Sequence, residues 1–197
     1  DCTPLIAVPT LLINSKQIRQ LVEDLEVRYL GNQDPHIHYA LLTDLPDSSE
    51  PADERDSRIE LAQQCIADLN KRYKHLGQGQ FFLFHRHRIY NPQEKTWMGW
   101  ERKRGKLLDL NKLLRGVFDP FPVKSGDLSI LPSVRYVITL DSDTQLPRGS
   151  AWRMIGTMAH PLNAAIVDPA RNIFTDGYGI VKARVGVSLQ WARRARL

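Results

Sequence analysis

The chain predicts a three-layer α/β fold built on a mostly parallel sheet. Three observations carry that expectation. Short runs rich in Val, Ile, Leu and Phe recur along the sequence, helix-periodic stretches separate them, and two of the runs end in polar turns bearing aspartate. Strands alternating with helices argue for parallel pairing with right-handed crossovers, and near-continuous apolar runs are what strands buried on both faces look like. A length of 197 residues suits one domain, taken as spanning 1–197, and 42% hydrophobic with 25% charged residues excludes a disordered chain.

Each element has its own warrant. Leu5 to Ile13 is the first strand, with Pro9 marking its end. Asn14 or Ser15 caps a helix with the apolar face Ile18, Leu21, Val22, Leu25 and Tyr29, stopped at Gly31. His36 to Thr43 is a second strand ending in Thr43-Asp44, and the polar stretch Pro46 to Asp56 is a loop. A second helix runs from Ser57 to Leu76 through Ile59, Ala62, Ile66, Leu69 and Tyr73, ended by Gly77 and Gly79. Phe81 to Phe84 is a third strand, and His85 to Lys106 is basic and aromatic. Leu107 to Phe118 is helical through Leu110, Leu113, Leu114 and Val117, and Asp119 to Pro132 is a Pro-rich connector. Tyr136 to Leu140 is the fourth strand, expected to be parallel and buried. Ser150 caps a short helix with Trp152, Ile155 and Met158 turned inward, and Ala165 to Val167 forms another strand. Val181, Ala183, Val185, Val187 and Leu189 alternate with mostly polar residues, as in a terminal ribbon.

The net charge of +5 fits an anionic ligand, a nucleic acid or an acidic membrane surface. Cys2 and Cys65 lack metal-site spacing, which points to a reduced cytosolic compartment. The longest apolar stretch, Leu5 to Ile13, is too short to span a bilayer. The chain opens at Asp1 almost directly into a strand, as expected of a piece of a longer protein.

The chemistry gathers at strand ends. Asp141 and Asp143, after Tyr136 to Leu140, would lie about 6.6 Å apart on one strand face at about 3.3 Å per residue. A turn there can draw them around one hard cation, Mg²⁺ or Mn²⁺, which shares its oxygen ligands with substrate phosphates. The competing reading has Asp141 capping the turn and Asp143 solvated. Pro9-Thr10 and Asp44 follow the first two strands, and in a parallel sheet these ends share one edge and can line one crevice. Asp44 can accept hydrogen bonds from a base or ribose, or simply form a turn before Pro46. Arg102, Lys103, Arg104 and Lys106 place four cations in five residues, suited to a diphosphate, with Gly105 allowing close approach of backbone to ligand. Trp97 and Trp100 can stack on a sugar or base. His85 and His87 are an i, i+2 pair without further ligands and read as structural. Asp168 and Asp176 read as turn residues.

Taken together, these motifs resemble the processive inverting glycosyltransferases of the GT-A fold, with G-K-L-L-D-L-N at Gly105 to Asn111 departing from the usual pattern at Asp109, where a small residue is expected. The strings A-V-P-T-L-L, W-M-G-W-E-R-K-R-G-K-L, Y-V-I-T-L-D-S-D-T-Q-L-P, G-T-M-A-H-P-L-N and G-Y-G-I-V-K-A-R-V-G are similar to the cyclic β-1,2-glucan synthase family. The resemblance implies a GT-A-like fold, truncated at its C-terminus, in which this chain is the nucleotide-sugar-binding part. It implies a UDP-glucose donor, a β-1,2-glucan acceptor and inversion. Asp141 and Asp143 would hold the metal, Pro9, Thr10 and Asp44 would line the uridine pocket, and Arg104 and Lys106 would serve the diphosphate. The catalytic base is expected C-terminal of Leu197, so the isolated chain should be inactive, with Asp168 and Asp176 as weak substitutes. The family also implies a larger synthase on the cytoplasmic face of a bacterial inner membrane. Two rivals remain. One is a nucleic-acid-binding domain using residues 85–106. The other is a haloacid-dehalogenase-like phosphotransferase, which wants Thr or Val where Gln145 stands and its aspartate strand first in the domain.

Overall fold

In the computed structural model, which describes residues 3–51, 56–76, 80–184 and 186, two compact units are seen, 1–151 and 152–197. The first runs β1 (Thr3–Leu11), α1 (Ser15–Gly31), β2 (His38–Asp44), α2 (Ser57–Tyr73), β3 (Phe81–His85), a hairpin of β4 (Ile89–Asn91) and β5 (Thr96–Met98), α3 (Arg102–Leu114), β6 (Val123–Ser125) and β7 (Val134–Thr139). Its main sheet has the order β6-β3-β2-β1-β7, parallel throughout except for the antiparallel edge strand β6. The fold is therefore α/β with a mostly parallel sheet, as the alternation of elements predicts.

The sheet forms because β1, β2 and β3 are almost wholly buried. Side chains alternate across a strand. One face (Leu5, Ala7, Ala40, Leu42, Phe82, Phe84) packs with Leu110 of α3, Phe121 and Leu131. On the other, Tyr29 of α1 meets Tyr39 and Phe81 edge-on at 5.8 and 5.1 Å, and the predicted faces of α1 and α2 are buried. Asn14 caps α1 through its side chain, which accepts from Gln17 N at 2.9 Å. The C-cap is Asn32, not a left-handed Gly31.

Several boundaries differ from expectation. β1 runs through Pro9 to Leu11. Ala7 O accepts from Leu140 N at 3.0 Å, so Ala7 and, two residues on, Pro9 face β7, whose ladder ends at Ala7–Thr139. The missing proline N–H therefore costs no bond. β7 is parallel but only half-buried, being the edge of the sheet among the described residues. The basic run is not a connector before a helix: α3 begins at Arg102 and carries all four cations. β4, β5 and β6 lie in segments read as irregular.

The second unit contains most of α4 (Ser150–Ala159) and an antiparallel hairpin of β8 (Ile166–Asp168) and β9 (Ile173–Asp176). β9 was not expected, and Trp152 is half-exposed where an inward position was expected. Val181 and Ala183 carry no regular structure, and Val185, Val187 and Leu189 lie outside the described residues, as do Cys2, Gly77 and Gly79. Among the described residues no helix is long and apolar enough to cross a membrane.

Candidate functional site

Along the chain the parallel strands are laid down outward from β1 through β2 to β3, and the fourth, β7, then joins on the opposite side of β1. Strand order thus reverses between β1 and β7, and crevices at such points, at the carboxyl ends of the strands, are where open α/β sheets bind ligands. A cavity of about 500 Å³ opens there. Its wall takes Pro9 and Thr10 from β1, Asp44 from β2, Gly99, then Lys103 and Lys106 of α3, with Ser142 from the turn after β7.

Asp44 lies deep in this wall, 1% exposed. Arg86 grips it with two parallel bonds, Nε to Oδ1 and Nη2 to Oδ2, both 2.9 Å, and Lys106 Nζ stands 3.3 Å from Oδ2. Lys106 also donates to the Thr10 carbonyl. Burial lowers the Lys106 pKa, and the Asp44 charge opposes that shift. For Arg86, burial likewise pulls down, but bonds and attraction from Asp44 and Asp109 outweigh it and leave the pKa raised. Arg86 Nη1 donates to Asp109 Oδ2 at 2.7 Å and Nη2 to the Arg102 carbonyl at 3.2 Å. The departure at Asp109 is therefore a second anchor for Arg86, tying α3 to the sheet end. A Cβ on Gly99 would fall 2.3 Å from Asp44 Oδ2, so only glycine lets that backbone cover the carboxylate.

Gly105 answers a different need from the one expected. A Cβ there would lie 2.0 Å from the Trp100 carbonyl and 3.0 Å from Arg86 Nη1, so the close approach is to the protein itself. Glu101 and Arg102 enter α3 with φ of 49° and 48°, left-handed values that cost a non-glycine residue energy. The bend brings the first turn of α3 to the cavity with cations at its positive end. This arrangement opposes the helix dipole and favours a bound anion.

Asp141 and Asp143 sit in the turn after β7 rather than on the strand, closed by Thr144 N to Asp141 O at 3.0 Å. Both are exposed. Asp141 pairs with Lys103, whereas the Asp143 carboxylate has neither a hydrogen bond nor an ion pair among the described residues. The turn is held from behind by Arg28 of α1, 5% exposed, which donates to the carbonyls of Ser142 (2.7 Å) and Thr144 (2.9 and 3.2 Å).

Of the residues singled out in the sequence, Pro9, Thr10, Asp44 and Lys106 line the cavity. Arg104 does not: its side chain is 81% exposed and pairs with Glu101. The cavity-lining cations are Arg102, Lys103 and Lys106, and of the aspartate turn Ser142 lines the cavity whereas Asp141 and Asp143 do not. Trp97 packs its ring on Tyr90 (5.6 Å) and pairs its backbone with Ser48, and Trp100 is half-exposed; neither reaches the cavity wall. Each of the four clustered cations has a carboxylate partner. His85 is fully buried, with Nδ1 2.9 Å from Thr43 Oγ1. In the second unit, Asp168 accepts from Ala170 N (2.8 Å) and Asp176 from Gly177 N (2.8 Å), both turn contacts. Sequence reasoning missed Arg28, Arg86 and Gly99. Arg86, set between His85 and His87 at a strand end, gave a faint signal; Arg28, on an apolar helix face, gave none.

No family model matches the chain. It is 43% identical over 190 residues to cyclic beta-(1,2)-glucan synthase NdvB of Rhizobium meliloti (strain 1021), a match that covers 96% of this chain and 7% of that relative's length. Ser142 of the aspartate turn, the α3 cations Arg102, Lys103 and Lys106, and the Asp44 wall line one cavity, in a chain that is similar over nearly its whole length to a small part of that cyclic β-(1,2)-glucan synthase.

Proposed function

We propose that this chain is the nucleotide-sugar-binding part of a glucosyltransferase that uses UDP-glucose to extend a β-1,2-linked glucan with inversion. The observation that carries the reading is the cavity at the carboxyl ends of β1 and β2, where the buried Lys106–Asp44 wall and the cations of α3 meet Ser142, the residue between Asp141 and Asp143. The 43% identity to a cyclic β-(1,2)-glucan synthase supports the β-1,2-glucan product. In this reading the uridine lies against Pro9, Thr10 and Asp44. Lys103 and Lys106 face the diphosphate, where compact ammonium groups suit phosphate oxygens.

The donor set suits a hard divalent cation shared with substrate. Asp143 is free and Asp141 is its neighbour, and no cluster of three His, Cys, Asp or Glu exists among the described residues. The remaining positions would fall to diphosphate oxygens and water, as Mg²⁺ and Mn²⁺ sites commonly arrange. Such a cation, when bound, supplies charge stabilisation for the departing UDP. Lys103 would exchange Asp141 for phosphate as the donor enters. No described residue is assigned as the acceptor-activating base, and the chain would act within a larger synthase at the cytoplasmic face of the membrane.

Calorimetric titration with UDP-glucose, with and without Mn²⁺, tests this. Metal-dependent binding that Asp143→Ala abolishes is the expected result. Metal-independent binding, or an unchanged Asp143→Ala variant, would overturn the metal assignment. A steeply salt-dependent affinity for single-stranded RNA without UDP binding would replace the reading with a nucleic-acid one.

A further inference from the structure

We infer that Arg28, on α1 and outside every motif of the sequence, is the positioning residue that fixes the backbone of the aspartate turn around Asp143 beside the crevice. The inference rests on reading the aspartate turn as the metal–diphosphate site. Its geometric basis is independent of that reading. Ser142 and Thr144 flank Asp143, and both their carbonyls accept from one guanidinium, at 2.7 Å and at 2.9 and 3.2 Å. The Ser142 carbonyl belongs to the peptide plane that enters Asp143, and the plane that leaves it is held by the Thr144 N–H bond to Asp141 O at 3.0 Å. Arg28 fixes the first directly and anchors the Thr144 carbonyl one plane further on, so the direction of the Asp143 Cβ is set. A guanidinium is planar and rigid, so the two carbonyls are held in one geometry rather than separately.

A second observation separates this contact from ordinary packing. Arg28 is a buried cation with no carboxylate in contact, and its Nη1 is buried without a hydrogen-bond partner among the described residues. A buried unpaired donor on a charged group is costly. An apolar residue would avoid that cost but could not hold either carbonyl. Burial lowers the Arg28 pKa, and the charges of Asp24 and Asp143 oppose that shift. Asn32 reinforces the attachment one helical turn on: its Oδ1 accepts from Ala151 N at 3.1 Å and its Nδ2 lies 3.5 Å from Leu146 O. The aspartate turn is thus docked on α1 at both ends, while the Asp143 carboxylate is left free for a ligand.

The test uses Arg28→Gln and Arg28→Lys in the full chain, with UDP affinity measured with and without Mn²⁺ and melting followed in parallel. Arg28→Gln should lower the Mn²⁺-dependent gain in UDP affinity at least tenfold while Mn²⁺-independent binding stays within twofold. Arg28→Lys, which keeps the charge but loses the fork, should lower that gain several-fold. If Arg28→Gln shows no folded baseline, Arg28→Lys alone decides. An unchanged Mn²⁺-dependent gain in the folded variants overturns the assignment to Arg28. So does an equal loss of binding with and without Mn²⁺, the signature of general loosening. A wild-type chain that binds UDP equally well without metal overturns the underlying site reading as well, and that result is visible before any variant is made.

Discussion

Asp44 and Asp143 stand at the carboxyl ends of the two strands that flank β1, and they are opposites. Asp44 is buried, and both oxygens are taken by Arg86 and Lys106. Asp143 is exposed and its carboxylate is free, while its neighbouring carbonyls are the atoms that are held. In the first case the protein satisfies the charge; in the second it satisfies the backbone and leaves the charge over. A buried carboxylate without partners would be too costly to keep, so Asp44 has become wall. Asp143 keeps water contact and can bind a cation at little cost to the fold. Two aspartates that look alike at strand ends in the sequence are thus separated by burial alone.

The contrast can be broken first at Asp44. Asp44→Ala leaves Arg86 and Lys106 buried without their carboxylate and should cost about 3–5 kcal/mol in denaturant unfolding. A loss below about 1 kcal/mol would mean the wall is not built on this pair.

Acid attacks the same region through His85. Burial pushes its pKa down to about 4, against the pull of the Asp44 charge, while the unfolded chain titrates near 6.5. The unfolded state then binds more protons between those values. The contribution is complete above about pH 6.5 and is lost as pH falls toward 4, on the order of 3 kcal/mol in all. Unfolding midpoints of wild type and His85→Gln across that window should converge; parallel curves would sink the assignment.

At the exposed site the stability effects shrink and the binding effects grow. Lys103→Met removes an exposed ion pair and should change stability by less than about 1 kcal/mol, while UDP affinity falls several-fold and loses part of its salt dependence. Asp143→Ala should leave stability within about 0.5 kcal/mol of wild type and remove the Mn²⁺-dependent gain in UDP binding. A large stability loss there would erase the distinction between the two aspartates.

Much of the architecture was legible because its causes are local. Continuous apolar runs in β1, β2 and β3 and the 3.6-residue periodicity of α1 and α2 leave little choice of element. The errors cluster where the cause is distant. Pro9 does not stop β1, because β7 leaves its side of the ladder. The cations of 102–106 fall on a helix face, because Gly105 lets the Trp100 carbonyl pack against α3. The short strands β4, β5, β6 and β9 have too few residues for a period to show.

The sequence by itself determined the α/β alternation, the motif strings that carry the family resemblance and the residue types gathered at the strand ends, since these depend on order and composition along the chain. The tertiary structure decided which aspartate is wall and which is free, that Arg86 and Arg28 serve them, and that Lys103 rather than Arg104 faces the crevice. Those outcomes depend on burial and on contacts between residues up to 116 positions apart, and no local pattern encodes either.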